Sequence, residues 1–207
     1  MKNLAPVVVL GAGGHARVLL DELKGMGREV MGIIDPSIEP GATMLGVNVL
    51  GDDAYIDELP PQSFELVNGI GALPKASLRW DIARKMRDKG HQFSTVVSLL
   101  SAVAGSAKLS EGVQIMAGAV IQASVTIGKN SVANTGCSID HDCVIGENVW
   151  ISPGVTICGN VVIGDCAYVG AGSVLIQDIT IGAHAIINAG SVVKKSLPAG
   201  DQHFHVV

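Results

Sequence analysis

An aliphatic residue recurs at every sixth position along the second half of the chain, from Val97 to Ile187. The series runs through sixteen positions without a slip, and Ala133 is its only member that is not bulky. An α-helix has a period of 3.6 residues and a plain β-strand a period of 2, so neither explains a strict period of six. Six-residue repeats are typical of a parallel β-helix in which each hexad forms one flat face. Three hexads then make one triangular coil of 18 residues, and coils stack about 4.8 Å apart.

A second column accompanies the first, because a small or β-branched residue lies four positions after each aliphatic one. We expect the aliphatic column to fill the interior of the β-helix and the second column to lie where the corners are crowded. The members of the second column are Ala119, Val125, Ser131, Cys137, Cys143, Val149, Val155, Val161, Ala167 and Ser173.

The first half of the chain alternates short apolar runs with helical patterns. The stretch VVVLGAGGHARVLLDELKGMG reads as a strand, a glycine turn and a helix, with Val18, Leu19, Glu22 and Leu23 in the helical pattern. EVMGIID and SFELVNGIG read as two further strands. Strands that alternate with helices predict a small parallel sheet of the doubly wound type.

The stretch KASLRWDIARKMRDKG reads as a charged amphipathic helix. Leu78, Ile82 and Met86 follow one another at spacing four and define the expected apolar face. We expect Arg79 and Arg84 to be solvated and assign them no function.

These patterns predict two domains: a small Rossmann-like α/β domain over residues 1–95 and a parallel β-helix over residues 96–207. Apolar residues make up 48% of the chain but aromatic residues only 3%, so the cores must be built from Ile, Val, Leu and Ala. The net charge of −5 argues against a nucleic-acid-binding protein, which would normally carry a basic patch. No apolar run reaches the roughly 18 residues of a membrane span.

The sequence also indicates a compartment. The apolar run near the amino terminus is short and ends in glycines, so it reads as a buried strand and not as a signal peptide. Four cysteines without a signal peptide indicate reduced thiols. We therefore expect a cytoplasmic protein that binds neither nucleic acid nor membrane.

The glycine turn GAGGHA follows a strand and precedes a helix, as in a dinucleotide-binding fingerprint. Gly11 would make the turn, Gly13 would let the backbone approach a phosphate, and Ala16 would pack the helix on the strand. Asp35 lies at the end of the second strand. A domain of under 100 residues is only half of a full dinucleotide-binding fold, so a nucleotide-sugar pyrophosphate at the helix amino terminus fits better than NAD.

The segment SIDHDCVIG carries the most distinctive chemistry of the repeats. Two positions after the aliphatic residue of its hexad, His141 should point outward, flanked by Asp140 and Asp142. Neighbouring carboxylates can hold an imidazole in one tautomer and raise its basicity, and an unperturbed pKa of about 6.5 suits a general base near neutral pH. The alternative is an exposed histidine at a turn, without a catalytic role.

One full coil after His141 lies Gly159. Stacking places it about one strand spacing away, so its backbone N–H could face an oxygen that gains negative charge during acyl transfer. The alternative is a tight corner with no further role. No covalent nucleophile is needed: Cys137 and Cys143 belong to the second column and are expected to fill corners. The two histidines of the repeats lie 43 residues apart, which is not a metal-ligand set, so we expect no metal.

The repeat resembles the hexapeptide acyltransferases, and this resemblance implies a left-handed β-helix and a homotrimer. Together, GAGGHA and NTGCSIDHDCVIGENVWISPGVTICGNVVIG resemble a narrower family, the N-acetyltransferases that act on nucleotide-linked 4-amino sugars in the bacillosamine and perosamine pathways, with sialic-acid O-acetyltransferases as relatives. The likeness covers nearly the whole chain and implies a role in lipopolysaccharide or glycan decoration.

The resemblance also implies a set of site residues. His141 matches the general base of the family, Asp142 its supporting acid and Gly159 its oxyanion position. Acetyl-CoA would lie along the β-helix in the groove between two subunits. The positions that match nucleotide contacts are Gly13, Gly14, His15, Asp35, Pro36 and Gly71, and those expected near acetyl-CoA are Trp150, Ala171, Gly172, Ala189 and Lys194. For His15 the alternative is a residue that caps its own helix.

Two departures from the family pattern stand out. Family members often carry a histidine where this chain has Trp150, so that histidine is not essential here and an indole would line the groove instead. The usual Gly-x-Pro-Ala ending is missing from SLPAGDQHFHVV, which leaves the far end of the CoA site open.

Four functions compete at this point. The first is N-acetylation of a nucleotide-linked 4-amino-4,6-dideoxy sugar of the GDP-perosamine or UDP-4-amino-sugar type, by direct attack on acetyl-CoA. The second is O-acetylation of a sialic-acid type of acceptor, and the third is a non-catalytic trimeric module that holds a nucleotide sugar. A dehydrogenase is disfavoured, because the glycine-loop domain is too small and no second catalytic domain accompanies it.

Overall fold

The computed structural model describes residues 5–203. The chain divides into two compact units, Met1–Ser94 and Thr95–Val207, and the sequence-based boundary lies one residue later. An α/β unit is followed by a parallel β-helix, so the predicted fold class is confirmed.

The first unit is built on a five-stranded sheet flanked by helices. Its elements in chain order are β1 (Val7–Leu10), α1 (Gly14–Gly25), β2 (Val30–Ile34), β3 (Thr43–Met44), β4 (Val47–Gly51), α2 (Asp53–Asp57), β5 (Glu65–Asn68) and α3 (Leu78–Asp88). The strand order is β3-β4-β2-β1-β5, and all pairs are parallel except β3 with β4. The sequence patterns predicted β1, β2 and β5, whereas the hairpin of β3 and β4 and the short helix α2 were missed.

The glycine turn has the backbone conformation and the helix packing that its sequence predicts. Gly11 has a φ of 86°, in the left-handed region that glycine adopts without strain. Ala16 is fully buried, and a methyl group built at Gly69 would lie 2.7 Å from its Cβ, so α1 packs closely on the sheet. Val18 was expected on the apolar face of α1 but is 45% exposed.

The predicted apolar face of α3 was right for Met86, was half-buried at Ile82 and was wrong for Leu78. Its buried residues are Arg79, Ala83 and Met86, whereas Leu78 is 60% exposed. The expectation that Arg79 is solvated was wrong: the residue is 2% exposed, and its guanidinium donates hydrogen bonds to main-chain carbonyls. Arg84, by contrast, is exposed and pairs with Asp81.

The second unit winds through three parallel sheets that form the three faces of the β-helix. The first face holds β7 (Ala102–Val103), β10 (Val120–Ile121), β13 (Ser138–Ile139), β16 (Thr156–Ile157), β19 (Val174–Leu175) and β22 (Val192–Val193). The second face holds β8 (Lys108–Leu109), β11 (Thr126–Ile127), β14 (Val144–Ile145), β17 (Val162–Ile163) and β20 (Thr180–Ile181). The third face holds β6 (Val96–Val97), β9 (Gln114–Ile115), β12 (Val132–Ala133), β15 (Trp150–Ile151), β18 (Tyr168–Val169), β21 (Ile186–Ile187) and β23 (Gln202–His203).

The six-residue period explains this geometry. The aliphatic residue of each hexad is the second residue of a strand, and Ile121, Ile139 and Ile157 pair in register at intervals of 18 residues. From Ile115 onward the aliphatic column is buried, as is the column of small residues that includes Cys137 and Cys143. Apolar burial of this continuous column is the main term that holds the coils together.

Backbone turns at the corners are equally regular. Asp142, Asn148 and Asn160 have φ values of 59°, 56° and 58°, in the left-handed region. Asparagine and aspartate tolerate this region better than other non-glycine residues, because their short polar side chains form local hydrogen bonds. A short polar residue takes this left-handed position at several corners of the repeat, and one of these corners carries His141.

Candidate active site

His141 lies at the corner between the first and second faces, where β13 ends and β14 begins. Its side chain is 59% exposed, and Nδ1 lies 2.8 Å from Oδ2 of Asp142. The Asp142 N–H donates to the carbonyl of Ala123 in the preceding coil, which fixes this residue at the turn. Asp140 accepts a hydrogen bond from the His141 main-chain N–H at 2.8 Å, so Asp142 and not Asp140 faces the imidazole.

The two carboxylates set the electrostatics of this corner. The hydrogen bond that Asp142 accepts from the imidazole and then the charge of Asp140 raise the pKa of His141 above its ordinary value, with a smaller contribution from Asp178. A carboxylate can only accept a hydrogen bond, so Nδ1 of a neutral His141 carries the proton. Nε2 is then left with its lone pair, which is the arrangement of a general base.

Gly159 lies one coil beyond His141 and directly against its ring. A methyl group built at Gly159 would lie 2.6 Å from Cε1 and 2.7 Å from Nε2 of His141, closer than any side chain could approach. The next residue, Asn160, donates its main-chain N–H to the His141 carbonyl at 2.9 Å, which locks the two coils together. Within residues 5–203, no protein group accepts a hydrogen bond from the Gly159 N–H.

A shallow groove of about 200 Å³ adjoins this corner on the first face. Its lining includes Asp140 and Cys158, the neighbours of His141 and Gly159 in the chain. Two of the neighbouring thiols are poor nucleophiles: burial raises the pKa of Cys137 to about 12 and also raises the pKa of Cys143, so both remain protonated near neutral pH.

The positions expected near acetyl-CoA do not come together within one chain. Lys194 is exposed on the same corner line as Asp140, three coils further on. The other positions lie elsewhere: Ala171, Gly172 and Ala189 at the corner between the third and first faces, and Trp150, which is 7% exposed, on the third face. The whole first face of the β-helix lies between the corner of Ala171, Gly172 and Ala189 and the corner of His141.

A cleft of about 350 Å³ in the first unit surrounds the glycine turn. Of the positions that match nucleotide contacts, Gly13, Asp35, Pro36 and Gly71 line it. Gly14 and His15 begin α1 beside it. A methyl group built at Gly13 or Gly14 would meet nothing within 4 Å, so both main chains are open to a ligand.

Asp35 holds the glycine turn in place. Its carboxylate accepts hydrogen bonds from the Ala12 N–H at 2.7 Å and from the N–H and hydroxyl of Ser37 at 2.9 Å and 2.5 Å. Burial alone would raise the pKa of Asp35, but the bonds from Ser37 and Ala12 outweigh it and lower that pKa. Asp35 therefore braces the loop, a role that its sequence position did not reveal.

The sequence patterns also missed Leu78 and Ile82 as lining residues of the cleft, because their spacing indicated a buried face. Arg79 and Asn68, which lie beneath the cleft, were missed as well. The burial of Arg79 had one signal in the sequence: Arg79 lies four residues before Ala83, and both are on the buried face of α3.

Two further findings concern the part of the chain that the structure describes. In it, no group of three or more His, Cys, Asp and Glu side chains is arranged to hold a metal ion. None of its helices has the length and apolar character needed to span a bilayer.

Known proteins share both units. Residues 6–86 match the PglD N-terminal domain family, and residues 142–177 match the bacterial transferase hexapeptide (six repeats) family. A variant of GDP-perosamine N-acetyltransferase from Caulobacter crescentus with one histidine changed to alanine, solved with CoA and GDP-perosamine, is 36% identical. The alignment covers 96% of this chain and 92% of that one, with a TM-score of 0.88. The chain belongs to the hexapeptide-repeat sugar N-acetyltransferases.

Two other members of this family have similar structures. The acetyltransferase domain of PglB from Neisseria gonorrhoeae, solved with acetyl coenzyme A, is 27% identical, with a TM-score of 0.89 and coverage of 97% and 96% of the two chains. WeeI from Acinetobacter baumannii is 27% identical, with a TM-score of 0.82 and coverage of 96% and 95%. No match to a curated protein sequence reaches significance.

Proposed function

We propose that this enzyme transfers an acetyl group from acetyl-CoA to the 4-amino group of a nucleotide-linked 4-amino-4,6-dideoxy sugar. The observation that carries the proposal is the His141 imidazole, held at Nδ1 by Asp142 and resting against a glycine one coil away. The Caulobacter relative, solved with CoA and GDP-perosamine, supports the two substrates. Free cysteines support a cytoplasmic location, where both substrates would be available.

His141 acts as the general base. Its Nε2 accepts a proton from the sugar amine as that nitrogen attacks the thioester carbon, and the proton then passes to the departing CoA sulfur, so that the products are an amide and a free thiol. Asp142 keeps the lone pair at Nε2 and stabilises the imidazolium that forms. No acyl-enzyme is needed.

Gly159 supplies the oxyanion donor. The thioester oxygen gains negative charge when the amine attacks, and a fixed main-chain N–H stabilises that charge without reorganisation. An unused N–H next to the base is suited to this role, because base and oxyanion donor must both reach the same carbonyl group.

The nucleotide end of the substrate binds in the cleft of the first unit. Open main chain at Gly13 and Gly14, at the amino terminus of the 12-residue helix α1, favours a diphosphate. Exposed apolar surface of Leu78 and Ile82 lines the same cleft and offers packing for a base or ribose.

A homotrimer would complete the acetyl-CoA site. Lys194 shares a corner with His141, whereas Ala171, Gly172 and Ala189 lie on another corner of the same β-helix. Only a second copy can bring that corner next to His141, so the pantetheine chain would lie between subunits, as expected from the sequence. The contact of Trp150 with CoA remains a prediction, since its side chain is largely covered.

A substrate panel tests the proposed reaction. The enzyme is incubated with acetyl-CoA and GDP-, UDP- or dTDP-linked 4-amino sugars, while free thiol is measured and the product mass is followed. We expect thiol release with at least one amino sugar and a product heavier by one acetyl group. Turnover of free sialic acid alone would contradict N-acetylation, and the absence of thiol release on every acceptor would favour a non-catalytic module.

Replacing Asp142 by asparagine should move the acid limb of the kcat/KM profile to lower pH. His141 is active only when it has lost its proton, and Asp142 raises the pKa at which this happens, so removing the charge lowers that pKa. The profile is measured from about pH 5 to pH 9, on either side of an ordinary histidine pKa. Asparagine tolerates the left-handed backbone at this position.

Asp165→Asn is the matched control for this shift. It removes a carboxylate from a different corner, and the amide can still accept the Glu147 N–H. In Asp165→Asn the acid limb of the kcat/KM profile should stay at the same pH as in wild type. An acid limb that does not move in Asp142→Asn, or that moves equally in both variants, would contradict the assignment.

A further inference from the structure

The charged side chain of Arg79 is buried beneath the nucleotide cleft. Its guanidinium Nη1 donates to the carbonyl of Asn68 at 2.8 Å and to the carbonyl of Ile70 at 2.6 Å. Burial lowers the pKa of Arg79 to about 9, so the side chain still carries its charge near neutral pH. Hydrogen bonds from a charged donor are stronger than neutral ones, and two of them converge here on one short loop.

Asn68 completes a reciprocal network with Arg79. Its side-chain Nδ2 donates to the Arg79 carbonyl at 2.9 Å, and its Oδ1 accepts from the Ile70 N–H at 3.1 Å. Both residues are buried, Asn68 with 1% and Arg79 with 2% of its surface exposed. The end of β5, the loop 69–71 and the first turn of α3 are thereby tied together by four hydrogen bonds.

This loop packs directly on the glycine turn. The Gly69 N–H donates to the Leu10 carbonyl at 2.8 Å, at the end of β1. A methyl group built at Gly11 would lie 3.1 Å from Cγ1 of Ile70. Gly69, Ile70 and Gly71 also line the cleft themselves. A shift of the 69–71 loop would therefore move both the wall of the cleft and the glycine turn, which faces the diphosphate in the proposed function.

We propose that Arg79 is a positioning residue for nucleotide binding, which fixes the 69–71 loop against the glycine turn and places a buried positive charge beneath the diphosphate. This inference rests on the proposed function, because it takes the cleft of the first unit as the nucleotide site. Arg79 is not expected to touch the sugar or the thioester, so it should govern affinity for the nucleotide and leave the chemical step unchanged.

Arg79→Met tests this proposal, with Arg84→Met as the matched control on the same helix. Arg84 is exposed on this helix and pairs with Asp81. Calorimetry measures the Kd for GDP, UDP and dTDP, and steady-state kinetics measures KM for the sugar nucleotide, KM for acetyl-CoA and kcat. We expect Arg79→Met to weaken nucleotide binding by about tenfold or more, because the 69–71 loop is no longer fixed and the buried positive charge is lost.

Comparing kcat with the two KM values distinguishes a positioning role of Arg79 from a general loss of folded protein. Partial unfolding lowers apparent kcat and leaves KM unchanged, whereas loss of positioning raises KM for the sugar nucleotide while kcat and KM for acetyl-CoA stay within about threefold. Arg79→Lys keeps the charge but not the planar arrangement of several N–H donors. This variant replaces Arg79→Met in the test if the methionine variant does not fold. The lysine variant should raise KM for the sugar nucleotide by about threefold or more.

Each failure has a distinct meaning. If wild type binds GDP, UDP or dTDP and the folded Arg79 variants bind that nucleotide equally well, the positioning role is overturned while the proposed function stands. If wild type binds none of the three nucleotides, the nucleotide-linked substrate is overturned and this inference with it. An equal loss in Arg84→Met would also overturn the role of Arg79.

Discussion

Replacing His141 by asparagine is expected to lower kcat by about 10²–10⁴-fold, the usual contribution of a general base. Asparagine keeps a polar side chain at the corner but cannot take a proton from the amine near neutral pH. The fold should be unchanged, because the imidazole is mostly exposed and lies outside the buried columns. Free thiol released from acetyl-CoA in the presence of the sugar nucleotide measures the loss, and calorimetry with GDP or UDP should show that nucleotide binding remains.

His184→Asn is the control for this substitution. His184 also lies at a corner of the β-helix and is exposed, and its left-handed backbone, with φ of 58°, suits asparagine. That variant should retain full activity. A His141→Asn enzyme with kcat within a few-fold of wild type would contradict the general-base assignment, and the histidine would then be an ordinary exposed corner residue.

Replacing Gly159 by alanine is expected to lower kcat by about 10²-fold, the scale on which a displacement of about 1 Å costs activity. The added methyl group would lie 2.6 Å from Cε1 and 2.7 Å from Nε2 of His141, so the ring must move away from its working position. The same methyl group would crowd the main-chain N–H that we assign to the oxyanion. Stability should change little, because the clash is with an exposed ring.

Gly105 provides the comparison. It occupies the same corner position as Gly159, three coils earlier, and a methyl group built there would meet nothing within 4 Å. Gly105→Ala should therefore retain wild-type kcat and melting temperature. Equal activity of the Gly159→Ala and Gly105→Ala enzymes would show that contact between Gly159 and the imidazole does not matter for catalysis.

Sequence reasoning was most effective where the structure is periodic. A strict step of six residues can only be satisfied by one kind of coil, so the interior position of Ile139 and the one-coil relation of His141 to Gly159 followed from counting. The structure confirms that relation, since the imidazole lies against the glycine. Asp142, the neighbour that the resemblance implied, is also the carboxylate that faces Nδ1, and its left-handed backbone places it there.

The α/β unit was harder to predict because its pattern is short and irregular. The spacing of four between apolar residues predicted that Leu78 lies on the buried face of α3. In the structure the helix turns Leu78 outward and Arg79 inward. Hydrophobic periodicity cannot indicate a buried arginine, because its burial depends on carbonyl groups contributed by Asn68 and Ile70. The bracing role of Asp35 likewise depends on Ala12, which is 23 residues away in the sequence.

The sequence by itself therefore determined the β-helix, its buried columns, the glycine turn and the place of His141 at a corner, since each follows from local spacing and residue type. Only the tertiary structure decided that the ring of His141 lies against Gly159, how Asp35 and Arg79 support the cleft of the first unit, and which corner each position expected near acetyl-CoA occupies. The physical reason is that hydrogen bonds between distant segments depend on how those segments pack, and a single sequence carries no periodic signal for such contacts.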